Sequence, residues 1–233
     1  MVHNNPGYTY SMGGVELTTV DEEKDVGVTV YKSLKPGRHC KRAADTATGV
    51  LRQIQNNFHF RDRHIFIKLY KQYVRPHLEF ATPAWNPWLQ KDIDILEKVQ
   101  EKAVRMVSGL KGKTYQEKCA ELRLDSLVKR RQDQDLVQTF KIMKKIDKLS
   151  PSKIFNVINR THNTRSTADK SQIHIQRTRT DVRANFYTIR TAKEWNKTDP
   201  KLKELQLQTF KTAIKSSRIE VRPFEQQQET TDL

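Results

Sequence analysis

The sequence predicts a mainly α protein. A small N-terminal antiparallel β edge precedes a helical bundle, and a basic, partly irregular region closes the chain. Three observations carry this. Residues 8–30 alternate with a period of two, from residue 38 the apolar period becomes three to four, and residues 160–183 are basic with weak patterning. With 233 residues, the chain can bury a core.

The β edge has two parts. Tyr8-Thr-Tyr-Ser-Met12 and Val15-Glu-Leu-Thr-Thr19 flank Gly13-Gly14, a hairpin-turn dipeptide. Val26-Gly-Val-Thr-Val30 reads as a third strand after the acidic stretch Asp21–Asp25. Three short strands leave one face uncovered, so this segment reads as an edge or a flap on the helices.

The first helix begins near residue 38, with Ala43, Ala47, Val50, Leu51, Ile54 and Phe58 at helical steps. A second spans 61–75 with Phe66, Leu69, Tyr70 and Tyr73 inward. Arg61, His64, Lys68, Lys71 and Arg75 lie on the opposite arc, and Arg75-Pro76 ends the helix. Residues 76–90 hold three prolines and two tryptophans and read as a structured connector across helix ends.

Residues 91–108 give the cleanest helix, with Ile93, Leu96, Val99, Ala103, Val104 and Val107 as its stripe. Asp94→Lys98 and Glu101→Arg105 are pairs at i,i+4, and Gly109 and Gly112 stop the helix. Thr114-Tyr-Gln-Glu117 is a capping box. Asp125 or Ser126 caps a helix over 127–148 that Ser150-Pro151 ends. Its Leu136, Thr139, Phe140, Met143 and Ile146 face inward, while Arg130, Arg131, Lys141 and Lys145 lie opposite. Gln172–Gln176 alternates as one short strand. Helical spacing returns at 184–196 and 206–217, and 223–233 reads as a disordered tail.

The formal charge is +16, from 43 Lys and Arg against 27 Asp and Glu. It is unevenly placed: residues 35–75 carry ten basic against two acidic residues, residues 160–222 carry 15 against 6, and residues 1–34 carry two against five. Such a charge points to a polyanion, nucleic acid before membrane. The candidate phosphate-binding sets are the 61–75 arc, the face with Arg130, Arg131, Lys141 and Lys145, and the C-terminal Arg160, Arg165, Arg177, Arg179, Arg183 and Arg190. The bland alternative is a solvated helix surface. Trp85, Trp88 and Trp195 read as packing residues before base-stacking ones.

No catalytic centre is visible. The chain has no Asp-Asp dipeptide, no phosphate-cradling glycine loop and no CxxC. Asp92/Asp94 and Asp133/Asp135 are i,i+2 on helices, point apart, and read as solvated faces, so no metal site is assigned. Cys40 reads as core despite its neighbour His39. No apolar run is long enough to span a membrane and the N-terminus has no basic or apolar leader pattern, so the chain is expected to be neither membrane-embedded nor secreted.

Several phrases together resemble the C-terminal part of reverse transcriptases from non-LTR (LINE-type) retrotransposons, especially the jockey-like ones. They are Lys24-Asp-Val-Gly-Val28, Phe66-Ile-Lys-Leu-Tyr70, Tyr73-Val-Arg-Pro-His-Leu-Glu-Phe80, Trp85-Asn-Pro87, Asp92-Ile-Asp-Ile-Leu-Glu-Lys-Val-Gln100, Arg105-Met-Val-Ser-Gly-Leu110, and Glu194-Trp-Asn196 with Phe210-Lys211. The resemblance covers residues 8–217. It implies a palm remnant over 1–34 with Lys24, Asp25, Val26 and Gly27 near a primer grip, a thumb-like domain over 35–150, and a basic extension over 151–222. It also implies a catalytic palm upstream of Met1, with Mg²⁺ needed only by that intact polymerase and no cofactor or catalysis in this chain. Trp195-Asn-Lys-Thr-Asp-Pro200 and Thr164-Arg-Ser166 depart from the family's Trp-Asn-x-Leu-Pro and Thr-Arg-Gly. The expected partner is the backbone of an RNA–DNA hybrid or another duplex. An independent or co-opted nucleic-acid-binding protein and a helical protein-interaction module stay open as alternatives.

Overall fold

The computed structural model describes residues 8–58, 62–158 and 171–217. The chain is mainly helical. Two hairpins precede the helices: β1 (Ser11–Met12) with β2 (Val15–Glu16), and β3 (Glu22–Asp25) with β4 (Val28–Tyr31). Gly13 and Gly14 both take positive φ, as the turn requires. The acidic stretch before the expected third strand is itself β3. The expected third strand starts late, because Val26 (φ 43°) and Gly27 (φ 87°) form the turn that reverses the chain. The two hairpins form separate sheets, and residues 8–20 are exposed throughout.

α1 (Gly37–Asn57) buries Cys40, Ala43, Ala44, Ala47, Leu51 and Ile54 against α5 (Gln90–Arg105). Its small side chains let the two helices approach closely. Gly37 is required by that approach: a Cβ there would lie 2.9 Å from Asp92 Oδ1. Asp92 is buried, in the first turn of α5 and beside the first residue of α1, and its burial raises its pKa.

The 61–75 helix does not stop at Arg75-Pro76. α2 (Arg63–Leu69) runs into a π turn (Tyr70–Val74), in which Arg75 N–H reaches Tyr70 O, and then into α3 (Arg75–Glu79). Proline lacks an N–H and its ring crowds the preceding turn. The wider turn places Pro76 at the start of α3, where neither property interrupts the helix. The register shifts accordingly. Phe66, Tyr70, Val74 and Leu78 are buried at steps of four, and Tyr73, expected inward, is exposed.

α4 (Thr82–Trp85) lies in the proline-rich connector, where Trp85 Nε1–H donates to Phe80 O at 2.7 Å. α5 buries Leu96, Val99, Ala103 and Val104 as expected, and Glu101 pairs with Arg105. Asp94 accepts from Gln90 at 2.7 Å. α6 (Tyr115–Glu121) carries the complete Thr114/Glu117 capping box. Gln100 is the buried junction of this region. It accepts from Tyr70 Oη at 2.7 Å and donates to Tyr115 Oη at 3.0 Å and Asp125 O at 3.1 Å.

α7 (Leu127–Met143), capped by Ser126, is the central helix and is shorter than the expected 127–148. Past its end Lys145 takes φ 57°, which turns the chain and leaves Ile146 exposed rather than inward. Leu127 belongs to the first core, which contains Phe66, Tyr70, Leu78 and Leu96. Leu136, Phe140 and Ile142 belong to a second, with Phe155, Ile173, Ala192, Trp195, Phe210 and Ile214. Phe140 stacks on Phe210 with centroids 4.3 Å apart. The second core is closed by α8 (Pro151–Ile154), α10 (Tyr187–Lys197), α11 (Pro200–Lys203) and α12 (Leu207–Ser217), while α9 (Asp181–Ala184) packs against α10. The expected strand at 172–176 is one bridge, Val157 to Ile173. The expected tail over 223–233 lies outside the described residues.

One ion pair ties the two halves. Arg190 on α10 donates through Nε and Nη2 to both oxygens of Asp135 on α7, at 2.9 and 3.0 Å. The same guanidinium reaches Pro83 O and Asn185 O, each at 2.8 Å, and Asn86 Nδ2 donates to Asp135 at 2.9 Å. Replacing Arg190 by Ala strands a carboxylate that is 5% exposed. A loss of about 3 kcal/mol in urea unfolding is expected, the low end for a broken buried pair because Arg190 keeps some exposure. The double replacement Asp135→Leu, Arg190→Met should recover most of it.

Candidate nucleic-acid interface

α12 packs beside α7 because Phe210 and Ile214 enter the second core. Their neighbours Lys211 and Lys215 are thereby set along the seam. A cavity of about 380 Å³ opens there, walled by α7, α12 and the connector. Arg130, Lys141, Lys211 and Lys215 line it with Gln134, Gln138, Val137 and Pro83. Neither Lys211 nor Lys215 makes an ion pair with a described residue.

Glu79, at the end of α3, organises one side. Arg130 grips it with Nε and Nη2, the latter at 2.8 Å, Gln134 Nε2 donates at 3.1 Å, and Arg75 lies 3.8 Å away. This pair raises the Arg130 pKa. Partial burial, then the charge of Arg130, lowers that of Arg75. Lys71 is lowered by desolvation first and then by Arg75, Arg130 and Lys215. Four cations from α7, α12 and the π-turn segment thus act on one another. Lys141 pairs with Asp147 at 3.8 Å.

Of the sequence-derived candidates, Lys71, Arg75, Arg130 and Lys141 converge here. His64 and Lys68 are exposed on preceding turns of the same helical segment. Two assignments are corrected. Arg131 does not lie on an open face: it is 1% exposed, and burial lowers its pKa. Its charge reaches the thiol of Cys40, which burial and Asp92 push up to about 12, so Cys40 is an inert core residue. Arg190 is the strut on Asp135 and is spent there. Lys145 is exposed at the left-handed turn, Arg177 and Arg179 are exposed on the stretch before α9, and Arg183 donates to Gln176 at 3.0 Å over the Phe186 ring. Arg61, Arg160 and Arg165 lie outside the described residues. Sequence reasoning missed Lys211 and Lys215, whose signal is their place one residue after the apolar pair Phe210 and Ile214.

The aspartate pairs are not solvated faces. Asp92, Asp133 and Asp135 are buried. Asp92 abuts Gly37 while Asp94 meets Gln90, and Asp135 holds Arg190 while Asp133 borders the cavity. Neither pair converges on one point, so neither fits a two-metal centre. Among the described residues no group of three His, Cys, Asp or Glu side chains is arranged to hold a metal ion.

Lys24 and Asp25 end β3, and Val26 and Gly27 are the hairpin tip, which sits over Phe80. The hairpin is docked on α1 by five contacts. Thr29 N–H donates to His39 Nδ1 at 3.1 Å, and Arg42 Nη1 donates to Thr29 Oγ1 at 3.0 Å. Arg38 and Arg42 hold Glu22, and the Arg38 guanidinium lies 4.0 Å above the Tyr31 ring.

No protein family, curated protein or solved structure matches this chain.

His39 accepts at Nδ1 and is therefore neutral, and burial, then Arg42, lowers its pKa. The unfolded side chain takes a proton near pH 6.5 while the folded one resists. The stability that His39 lends is complete above that pH and is lost as pH falls. Unfolding free energy should drop between about pH 7.5 and 5.5. The drop should shrink in His39→Asn, whose Oδ1 can accept the same N–H. An equal drop in both proteins would contradict this assignment.

Proposed function

We propose that this chain binds the phosphate backbone of nucleic acid without reading sequence, as a thumb-like segment of a non-LTR reverse transcriptase type. The observation that carries the reading is the convergence of Lys71, Arg75, Arg130, Lys141, Lys211 and Lys215 on one seam. Among the described residues, the acids Glu79, Asp125, Asp133 and Asp147 lie near them and offset part of this charge. Lysine and arginine heads around a groove neutralise phosphates and release counterions, which gives affinity that every sequence shares. The order of the family-like phrases from Lys24 to Lys211 supports the same reading. The two aspartate pairs do not converge on one point, so no chemical step is assigned to them. Among the described residues no helix is long and apolar enough to cross a membrane.

A protein-interaction role is favoured by one observation. Tyr8, Tyr10, Met12, Val15, Leu17 and Val20 are all exposed on or beside the first hairpin. A two-stranded hairpin is marginal alone in water. A covering protein surface would suit it and would leave the basic seam open.

Backbone binding predicts a linear fall of log K with log salt, with a slope of about −0.9 per phosphate neutralised on B-form duplex. Reversing Lys141, Lys211 and Lys215 to Glu should weaken binding equally for unrelated sequences. Each reversal should flatten the slope by about 1. These side chains hold no core contact that the reversal removes, so circular dichroism should be unchanged. Full affinity in the triple variant would remove the seam from the account.

A further inference from the structure

The seam has a feature that a convex duplex does not need. Its cavity is concave, about 380 Å³, and mixed in character. The cations stand with an apolar floor from Ala81, Pro83, Val137 and Ile214, and with the amides of Gln134 and Gln138 on the wall. Gln134 Nε2 is engaged by Glu79 and Gln138 Nε2 by Asp147, at 3.1 and 2.6 Å. Among the described residues no donor reaches either amide oxygen, so both are acceptors on the wall. This volume falls in the range of small-molecule sites, and an apolar floor with a few polar groups is their usual lining.

A nucleotide has matching parts. Its phosphate seeks cations, its base is a flat body with apolar faces, and its edges hydrogen-bond to amides. A paired base keeps its faces in the stack and its edge on its partner. Extruding it costs a few kcal/mol, which an already unpaired base avoids. A plain phosphate-binding surface would gain nothing from an apolar floor. Ala81, whose backbone is left-handed at φ 50°, holds part of that floor in place.

We propose that the cavity between α7 and α12 receives the base of an unpaired nucleotide while the surrounding cations hold the adjoining phosphates. The ligand class is thus nucleic acid with a single-stranded end or gap, in preference to continuous duplex. The inference rests on the backbone-binding reading and adds a base pocket to it.

The test measures fluorescence anisotropy with the full chain at one fixed salt concentration. Three probes are compared: a blunt duplex, the same duplex with a short 3′ overhang, and that overhang with abasic sugars. The overhang should bind about tenfold more tightly than the blunt duplex, within the range that stacking and burial of one base supply. The abasic overhang should fall back toward the blunt value, although its phosphates are unchanged. Val137→Phe, which fills the floor, should erase the preference for the overhang. The abasic probe needs no variant, so a folding defect in Val137→Phe does not decide the matter. Equal binding of all three probes overturns the base pocket and leaves backbone binding standing. Equal gain from normal and abasic overhangs also overturns it, since charge alone then explains the preference. Absence of binding to every probe overturns both.

Discussion

The fold depends most on a carboxylate in the middle of α7. Asp135 accepts from both ends of the Arg190 guanidinium and from Asn86, and Arg190 also satisfies two backbone carbonyls. One buried pair thereby fastens the connector, the central helix and α10. Charge burial is costly unless each lone pair and N–H finds a partner. Here the partners come from three elements, so the pair is satisfied only when all three are in place. The strut holds the second core against α7, and α12 belongs to that core. The seam carrying Lys211 and Lys215 inherits its position from this arrangement.

The electrostatics of the seam follow a related logic. A cluster of like charges opposes its own formation, and Glu79 offsets part of that cost by holding Arg130 and attracting Arg75. The remaining repulsion acts at Lys71, whose protonated form is disfavoured first by desolvation and then by its cationic neighbours Arg75, Arg130 and Lys215. Such a patch is relieved by an incoming anion, which is the physical basis of the proposed binding surface. Arg131 shows the contrast: the same residue type one position from Arg130 is folded into the core beside Cys40.

Much of the fold was legible because local rules decided it. The α5 stripe, the Thr114/Glu117 capping box and the Gly13-Gly14 turn each depend on neighbours within one or two turns. The misses share a cause. Reading α7 as a helix with one dry and one wet face assumes a single core, yet α7 meets two, so Arg131, Asp133 and Asp135 are buried on what looked like the outer side. The π turn preserves helicity through Arg75-Pro76, which a fixed 3.6-residue period cannot anticipate. Arg190 reads as a free cation from sequence because its partner lies 55 residues away. Four seam residues were legible as basic positions. Their meeting with Lys211 and Lys215 was not, because the docking of Phe210 and Ile214 on the second core is tertiary.

The central claim is that nucleic acid lies along this seam, and lysine footprinting tests it directly. The full chain is acetylated with and without saturating duplex at low salt, and each modified lysine is quantified by mass spectrometry. Bound duplex should shield Lys71, Lys141, Lys211 and Lys215 while leaving Lys24, Lys111 and Lys197 as reactive as before. Shielding that spares these four and falls instead on Lys24 or Lys197 would contradict the account.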